Sequence, residues 1–368
     1  MKITKVEALP FGIPIRSFAD AYTGFAESNA VLVKLHTDAG VTGLGEACAW
    51  EPEFYGETLE SVTTTIQNYA APRIIGQNPM NIGKIMALLD AALADATCAK
   101  EGVDIALHDL VGKALNVPVS TILGGRFREK IPIASEIGID TPEKMAENAL
   151  DVIGLGIQII KIKGSNDAAL DVQRIKAVRS AVGEDVALRL DPNAAWDVSA
   201  TIQTMKKIED CHLQYLEQPV PGWDLKGMAH VRRNIGIPLM ADESIWSHQD
   251  AVRIFEYGAA DILNIKLPKA CGLHRAKKIE ATAEALGMPC IVGTEIEPGL
   301  SWIAKLHLAS SMRNHPLASE FTELTLLKDN ILDFEIRIVD GCVEVPSGPG
   351  LGVGLREDVF QKYRKQLP

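Results

Sequence analysis

The sequence predicts an α/β protein: a (β/α)8-type TIM barrel with an N-terminal α+β capping domain that the C-terminal segment completes. Three observations carry this reading. Between residues 126 and 325 short apolar runs recur eight times, separated by helical stretches, the pattern of a closed parallel barrel. Residues 1–125 lack that alternation and open on long strand-like segments. Residues 326–368 return to Gly- and Pro-rich, strand-like composition in "DGCVEVPSGPGLGV", as expected of a segment that packs back on the N-terminal domain.

The N-terminal part begins with "KITKVEALPF" and "NAVLVKLHTDAGVTGLGEA", where "TDAG" reads as the turn of a β-hairpin. In "EGVDIALHDLVGKALN" the residues Val103, Leu107, Leu110 and Leu115 fall close to one stripe, as in a helix docked on a sheet. The eight apolar runs are "IPIASEIGI", "IQIIKIKG", "VALRLDPN", "LQYLEQPV", "IPLMADES", "DILNIKLP", "MPCIVGTE" and "PLASE", with helical segments such as "AALDVQRIKAVRSAVG" and "HRAKKIEATAEALG" between them. An open, doubly wound sheet is the alternative. Eight units over about 200 residues exceed a typical Rossmann half and favour the barrel.

Composition narrows the function. The chain has 368 residues, 47% hydrophobic and 23% charged, which provides for a large core and argues against disorder. Its 48 acidic against 37 basic residues give a net charge of -11, which argues against a nucleic-acid partner and for a small molecule. The six cysteines are scattered without a C-x-x-C pair, as reduced cytosolic thiols would be. There is no secretory h-region and no apolar run of the ~18 residues a membrane span needs, so a cytoplasmic protein with no membrane partner is expected.

The chemistry is written at the strand ends. In "IQIIKIKGS" the side chains alternate, so Lys161 and Lys163 share one face while Ile160 and Ile162 share the other. Later runs end on Asp191 and Asn193, on Glu217, on Asp242 and Glu243, and on Lys266. Asp191, Glu217, Asp242 and Lys266 follow one another by 26, 25 and 24 residues, about one strand-plus-helix unit each, which delivers them to one barrel mouth. Three converging carboxylates need a counter-charge, and oxygen-only ligands select a hard cation, Mg2+ or Mn2+. Such an ion can accept a substrate carboxylate and stabilise the dianion left when the α-proton is removed. The neighbouring ammonium of Lys161 and the metal are expected to depress the pKa of Lys163, so that Lys161 orients substrate oxygen while Lys163 moves the proton.

With these motifs, the sequence resembles the enolase superfamily, and within it the muconate lactonizing enzyme branch of the mandelate racemase/muconate lactonizing enzyme family. The resemblance spans the N-terminal cap, "DIALHDLVGKALNVPVSTILGG", "KIK", "DPN", "LEQP", "ADES", "NIKLPKACGL" and "GPGLGV". A Lys or His base working with Mg2+ on an enediolate is an established feature of that superfamily. The resemblance implies Asp191, Glu217 and Asp242 as metal ligands, Lys163 and Lys266 as the opposed acid/base pair, Lys161 as the accessory lysine, and Glu320 as a strand-eight carboxylate near substrate. It further implies that Tyr22, Phe25, Trp50, Phe54 and Tyr55, in two N-terminal loop regions, fold over the mouth and select substrate. A homo-oligomer acting on a small carboxylate is expected. The strand-seven His and strand-six Asp of the mandelate racemase branch are replaced here by "VGTEIEP" and Lys266. The Asp-x-Asp pair of dipeptide epimerases is likewise absent from "ASEFTE".

The reaction expected first is a muconate-type cycloisomerisation. Racemisation or epimerisation of amino-acid or proline derivatives, and dehydration of a hydroxy acid or a succinylbenzoate-type substrate, are its alternatives on the same scaffold. A Schiff-base aldolase using Lys163 or Lys266 as nucleophile is the alternative from another class. Several residues have a second reading. Asn193 ligates or orients the metal site, or caps the turn after Pro192; Glu243 is a supporting carboxylate; Glu295 and Glu297 line the mouth or form rim ion pairs. Glu320 faces substrate or makes a strand-end ion pair, the loop aromatics otherwise pack locally, and His108 and His212 are packed residues.

Overall fold

The computed structural model describes residues 1–49 and 51–367. Its first unit is a three-stranded antiparallel sheet of β1 (Ile3–Ala19), β2 (Gly24–Thr37) and β3 (Thr42–Cys48), in that order. The β2–β3 connection is the expected hairpin, with Gly40 at φ 76° closing the turn on Thr37. The helix Thr97–Leu115 crosses this sheet at very short range. A Cβ on Gly43 would stand 2.2 Å from the Ala106 carbonyl oxygen, and one on Gly45 2.2 Å from that of Gly102. Glycine at both positions is what lets helix and strand touch. Val103, Leu107 and Leu110 are buried as expected, but Leu115 is 56% exposed in the last helical turn. The helix is also buried on every side from Cys98 to Gly112, because it lies between the sheet and the second unit, not on an outer face.

That second unit is the barrel. Its strands are β4 (Lys130–Ile137), β5 (Ile159–Lys163), β6 (Ala187–Asp191), β7 (Leu216–Glu217), β8 (Leu239–Ala241), β9 (Ile262–Ile265), β10 (Cys290–Val292) and β11 (Ser319–Glu320). Each falls in one of the eight apolar runs. Neighbours pair in parallel from β4 through β10, β11 pairs with β4, and the Ser319 hydroxyl accepts the Val292 N–H at 3.1 Å across the closing β10–β11 seam. The two halves of the alternation pack differently. Ile160, Ile162, Leu188, Leu190, Leu216, Leu239, Leu263 and Ile265 face outward into the main hydrophobic core with the helices. Tyr215, Met240, Ile262 and Ile291 form a small apolar floor inside the ring, and the Arg189 guanidinium lies 4.8 Å above the Tyr215 ring.

The C-terminal segment touches both units. A hairpin of β12 (Ile338–Val339) and β13 (Cys342–Glu344) adds antiparallel to the start of β4, while Phe360 packs edge-on against Phe11 of β1 at 5.5 Å. All six cysteines are free. No helix among the described residues is long and apolar enough to cross a membrane.

Candidate active site

Inward-facing residues above the apolar floor are charged, and the strand register decides which ones meet. Lys161 is fully buried at the hub: its Nζ lies 2.6 Å from Glu136, 2.9 Å from Glu320, 3.1 Å from Glu217 and 3.4 Å from Asp191. On the same face one step higher, Lys163 meets Asp191 at 2.8 Å and Glu136 at 3.6 Å. Across the barrel Lys266 meets Asp242 at 2.8 Å and Glu295 at 2.6 Å. Lys269, one helical turn after β9, donates to the Asp242 carbonyl oxygen at 2.6 Å and also pairs with its carboxylate. The Asn264 amide donates to Glu217 at 2.7 Å, an approach open because a Cβ on Gly293 would fall 2.3 Å from the Asn264 Oδ1.

The electrostatics follow from this crowding. Burial alone pushes all three lysines toward neutrality, and the facing carboxylates outweigh it. Lys163 is thus held above its ordinary pKa by Asp191 and Glu136, although Lys161 and Lys266 pull the other way. Lys161 pulls Lys163 downward as expected, yet the net direction is upward. The lysine charge is real, but two carboxylates stand closer. Asp191 and Asp242 are held below the ordinary carboxylate range, their burial overcome by Lys163 and Lys161 in one case and by Lys266 and Lys269 in the other. Burial keeps Glu217 well above that range, with Glu320, Asp191 and Asp242 adding to it against the pull of Lys161.

A cavity of about 20 Å3 opens above this layer, with Lys163, Lys266, Glu136 and Asn193 among its walls. Lys161 and Glu320 do not line it. Lys161 is surrounded by four carboxylates, and Glu320 is held by Lys161 and by the Tyr215 hydroxyl at 3.0 Å. Glu295 lines the cavity, whereas Glu297 is turned away into an ion pair with buried Lys305 at 2.7 Å. The backbone after β6, β7 and β10 is forced into left-handed conformations at Asn193, Gln218 and Ile296, strain of the kind that collects around sites.

The aromatic residues divide. Phe54 lines the cavity, stacks on Trp246 at 5.7 Å, meets Tyr22 edge-on at 5.8 Å and lies 5.2 Å below the Lys266 ammonium. Tyr22 donates to Glu243 at 3.0 Å. Tyr55 packs against both Phe54 and Trp246 and on the cap core. Phe25 packs on the cap core and its cross-strand partner Phe18 lines the cavity in its stead. Trp50 lies outside the described residues. His108 is buried beside Asp104 as expected; His212 is exposed at the end of a short helical turn, not packed.

Several contributors escaped the sequence reading, among them Glu136, Asn264, Lys269 and Trp246. The first two sit on inward positions of their strands, Asn264 two residues before Lys266, so strand alternation alone was the signal available. Lys269 reads as a residue of the next helix, and Trp246 lies in a loop with no periodicity.

Among the described residues no three His, Cys, Asp or Glu side chains converge as a ready metal-binding group, since the lysines draw the carboxylates to themselves. The donor chemistry nevertheless fits a hard cation. Asp191, Glu217 and Asp242 are fully buried, offer only oxygen, and stand at the ends of three consecutive strands.

A barrel mouth lined by buried lysines and inward carboxylates under an aromatic cap is the active site of an enzyme. Comparison with known proteins names the family. Residues 3–124 match the mandelate racemase / muconate lactonizing enzyme N-terminal domain, and residues 144–359 match the enolase C-terminal domain-like family. The chain belongs to this mandelate racemase/muconate lactonizing enzyme family of the enolase superfamily. It is 36% identical over 365 residues to the N-succinyl-L-Arg/Lys racemase of Bacillus cereus, covering 98% of each chain. It is 32% identical over 369 residues to muconate cycloisomerase 1 of Rhodococcus opacus, covering 99% of each. A dipeptide epimerase from Cytophaga hutchinsonii, crystallised with Mg and the dipeptide D-Ala-L-Val, superposes with a TM-score of 0.94 at 31% identity, over 99% of this chain and 98% of that one.

Proposed function

We propose that the protein is a racemase or epimerase that moves the α-proton of a carboxylic acid between two lysines. One observation carries the reading. Lys163 belongs to β5 and Lys266 follows β9, the second and sixth strands of an eight-strand ring, so they face each other across its diameter and both line the same cavity. A planar enediolate held between them presents one face to each. One lysine removes the α-proton, and the other, carrying its own proton, delivers it to the opposite face. No net oxidation occurs, and both lysines return to their starting states after the reverse turnover.

The cycloisomerisation expected first from sequence rested on a lone strand-eight Glu together with the K-x-K motif and a strand-six Lys; the lysine pair serves racemisation as well, and Glu320 is engaged by Lys161 and Tyr215. Asp191, Glu217 and Asp242 would hold the Mg2+ or Mn2+, whose charge would stabilise the enediolate. Glu136 and Glu295 keep the two ammonium groups in place on either side. The test is α-proton exchange in D2O with Mg2+ over a panel of chiral carboxylic acids, read by mass spectrometry and polarimetry. Exchange coupled to loss of optical rotation is expected, abolished by EDTA and restored by Mg2+ or Mn2+. Exchange-free lactonisation, or full activity in excess EDTA, overturns the proposal.

A further inference from the structure

The cap carries a pair of reactive groups that the proton transfer does not use. The helix Thr97–Leu115 runs antiparallel to β3 at backbone distance: Gly43 stands against Ala106 and Leu110, Gly45 against Gly102 and Ala106, and a Cβ on Gly102 would fall 2.8 Å from the Ala47 Cβ. One more turn of that register brings Cys48, the last residue of β3, to Cys98, the second residue of the helix. Their thiols share a hydrogen bond, and both residues are buried. The pair lies beneath a segment that covers the active site. Residues 51–58 set Phe54 in the wall of the cavity and then return to the pair: Glu57 accepts the Cys98 N–H at 2.8 Å and its thiol as well, and Tyr55 packs on the cluster that contains both cysteines. The Tyr55 hydroxyl is buried there without a hydrogen-bond partner among the described residues, so the segment sits on the thiols at a cost.

We propose that Cys48 and Cys98 are a redox modification site, a thiol pair that closes to a reversible disulfide and thereby loosens the segment 51–58 over the active-site cavity. Thiols in contact on two elements that approach this closely need only a small shift to reach the S–S bond length of about 2.05 Å. Burial raises both thiols, Cys98 to about 12, so the pair is inert while the segment is closed and reacts when the segment lifts. The oxidant is a small disulfide of the glutathione class. One protein thiolate attacks a sulfur of glutathione disulfide and releases one glutathione thiolate; the other protein thiolate attacks the mixed disulfide and releases the second. Two protein S–H bonds and the glutathione S–S bond give way to one protein S–S bond and two glutathione thiols, so two electrons and two protons pass from the pair to glutathione. The new bond takes the Cys98 thiol away from Glu57, which keeps only the backbone N–H groups of Cys98 and Ala99. The far end of the segment is then held less tightly, and with it Phe54. A pair that opens and closes in this way behaves as the transient disulfides of reducing compartments do, not as a structural crosslink.

The experiment equilibrates the full chain with glutathione and glutathione disulfide at varied ratio, blocks free thiols with iodoacetamide, and maps unreduced peptides by mass spectrometry. A single linkage, Cys48 to Cys98, is expected to appear as glutathione disulfide comes into excess and to vanish with dithiothreitol. Amide hydrogen exchange of residues 51–58 should then run about 3- to 10-fold faster in the linked form, the range for loss of one hydrogen bond. Cys48→Ala and Cys98→Ala, checked for folding by circular dichroism, are expected to show neither the linkage nor the faster exchange. The readout needs no substrate and is independent of the two-lysine mechanism. A folded wild type whose pair stays unlinked in excess glutathione disulfide, or linkage through any other cysteine instead, overturns the modification site. Linkage that leaves the exchange of residues 51–58 unchanged overturns its hold on the segment.

Discussion

The two lysines are alike at first glance, yet their surroundings have different origins. Lys163 takes both its partners, Glu136 and Asp191, from strands β4 and β6 on either side of its own. Its position is set by barrel hydrogen bonding alone. Lys266 takes Asp242 from the barrel but Glu295 from the irregular segment after β10. That segment is gripped by the cap. Ser28 of β2 donates to the Ile296 carbonyl oxygen at 2.7 Å, and Glu46 of β3 accepts the N–H groups of Gly299, Leu300 and Ser301 at 3.2, 2.8 and 3.5 Å. Those N–H groups open the helix Leu300–Ser310, so a cap carboxylate fills the end of a barrel helix. A Cβ on Gly299 would fall 2.6 Å from the Glu46 carboxylate and would push it off these N–H groups. One half of the site is therefore built by the barrel, and the other half draws also on contacts from the cap.

The largest effect should come from removing either lysine. Lys163→Ala and Lys266→Ala are each expected to lower racemisation by about a thousandfold or more, the range for loss of an acid/base group. Each variant should still exchange the α-proton of one enantiomer in D2O, the mirror of the other. If both retain near wild-type turnover, the lysines leave the mechanism and the contrast between their surroundings has no catalytic meaning.

A smaller effect separates the two halves. Glu46→Ala removes three N–H acceptors at the helix start and should loosen Glu295, and with it Lys266, while Lys163 keeps its barrel partners. Exchange of the enantiomer served by Lys266 is expected to fall about ten- to a hundredfold, as for a modest misplacement of a reacting group, with the Lys163-dependent exchange nearly unchanged. Equal losses on both enantiomers would mean that Glu46 supports the site as a whole and that the asymmetry is only one of residue origin.

This division also explains what the sequence could reveal. Barrel positions obey a period of two within a strand and about 25 residues between strands, so Lys163, Asp191, Glu217, Asp242 and Lys266 fall into line from their spacing alone. The cap's contribution has no such period. Glu46 and Ser28 read as ordinary strand residues, and nothing local connects them to a helix some 250 residues later. Charge balance was illegible for the same reason. "KIK" puts two ammonium groups side by side, but Glu136, which with Asp191 sets the direction of the pKa shift of Lys163, arrives from strand β4. The downward pull of Lys161 is present but is one contribution among several acting on Lys163.

The smallest effect tests the other end of the cap-held helix by pH. His307 is buried in Leu300–Ser310, with Nδ1 accepting the Ser120 N–H at 3.2 Å and Nε2 bonded to the Leu351 carbonyl oxygen at 3.0 Å. These partners require the neutral ring protonated on Nε2, and burial lowers its pKa to about 4. The unfolded chain binds that proton near the ordinary value of 6.5, so the folded state holds fewer protons between the two values. The stabilisation is complete above 6.5 and is lost as pH falls toward 4, amounting to about 2 kcal/mol lost by pH 5 for this group alone. His307→Gln cannot titrate, so urea unfolding of the variant at pH 7.5 and pH 5 should show a smaller drop than wild type by about that amount. His315, buried with a pKa lowered to about 3, titrates alike in both proteins and cancels in the difference. In wild type the acid loss should weaken Lys266-dependent exchange ahead of Lys163-dependent exchange, because the helix that loosens is the one leading back to Glu295. An identical pH slope in the two proteins would show that the imidazole does not anchor the helix, leaving Glu46 and Ser28 as the cap's hold on that side of the site.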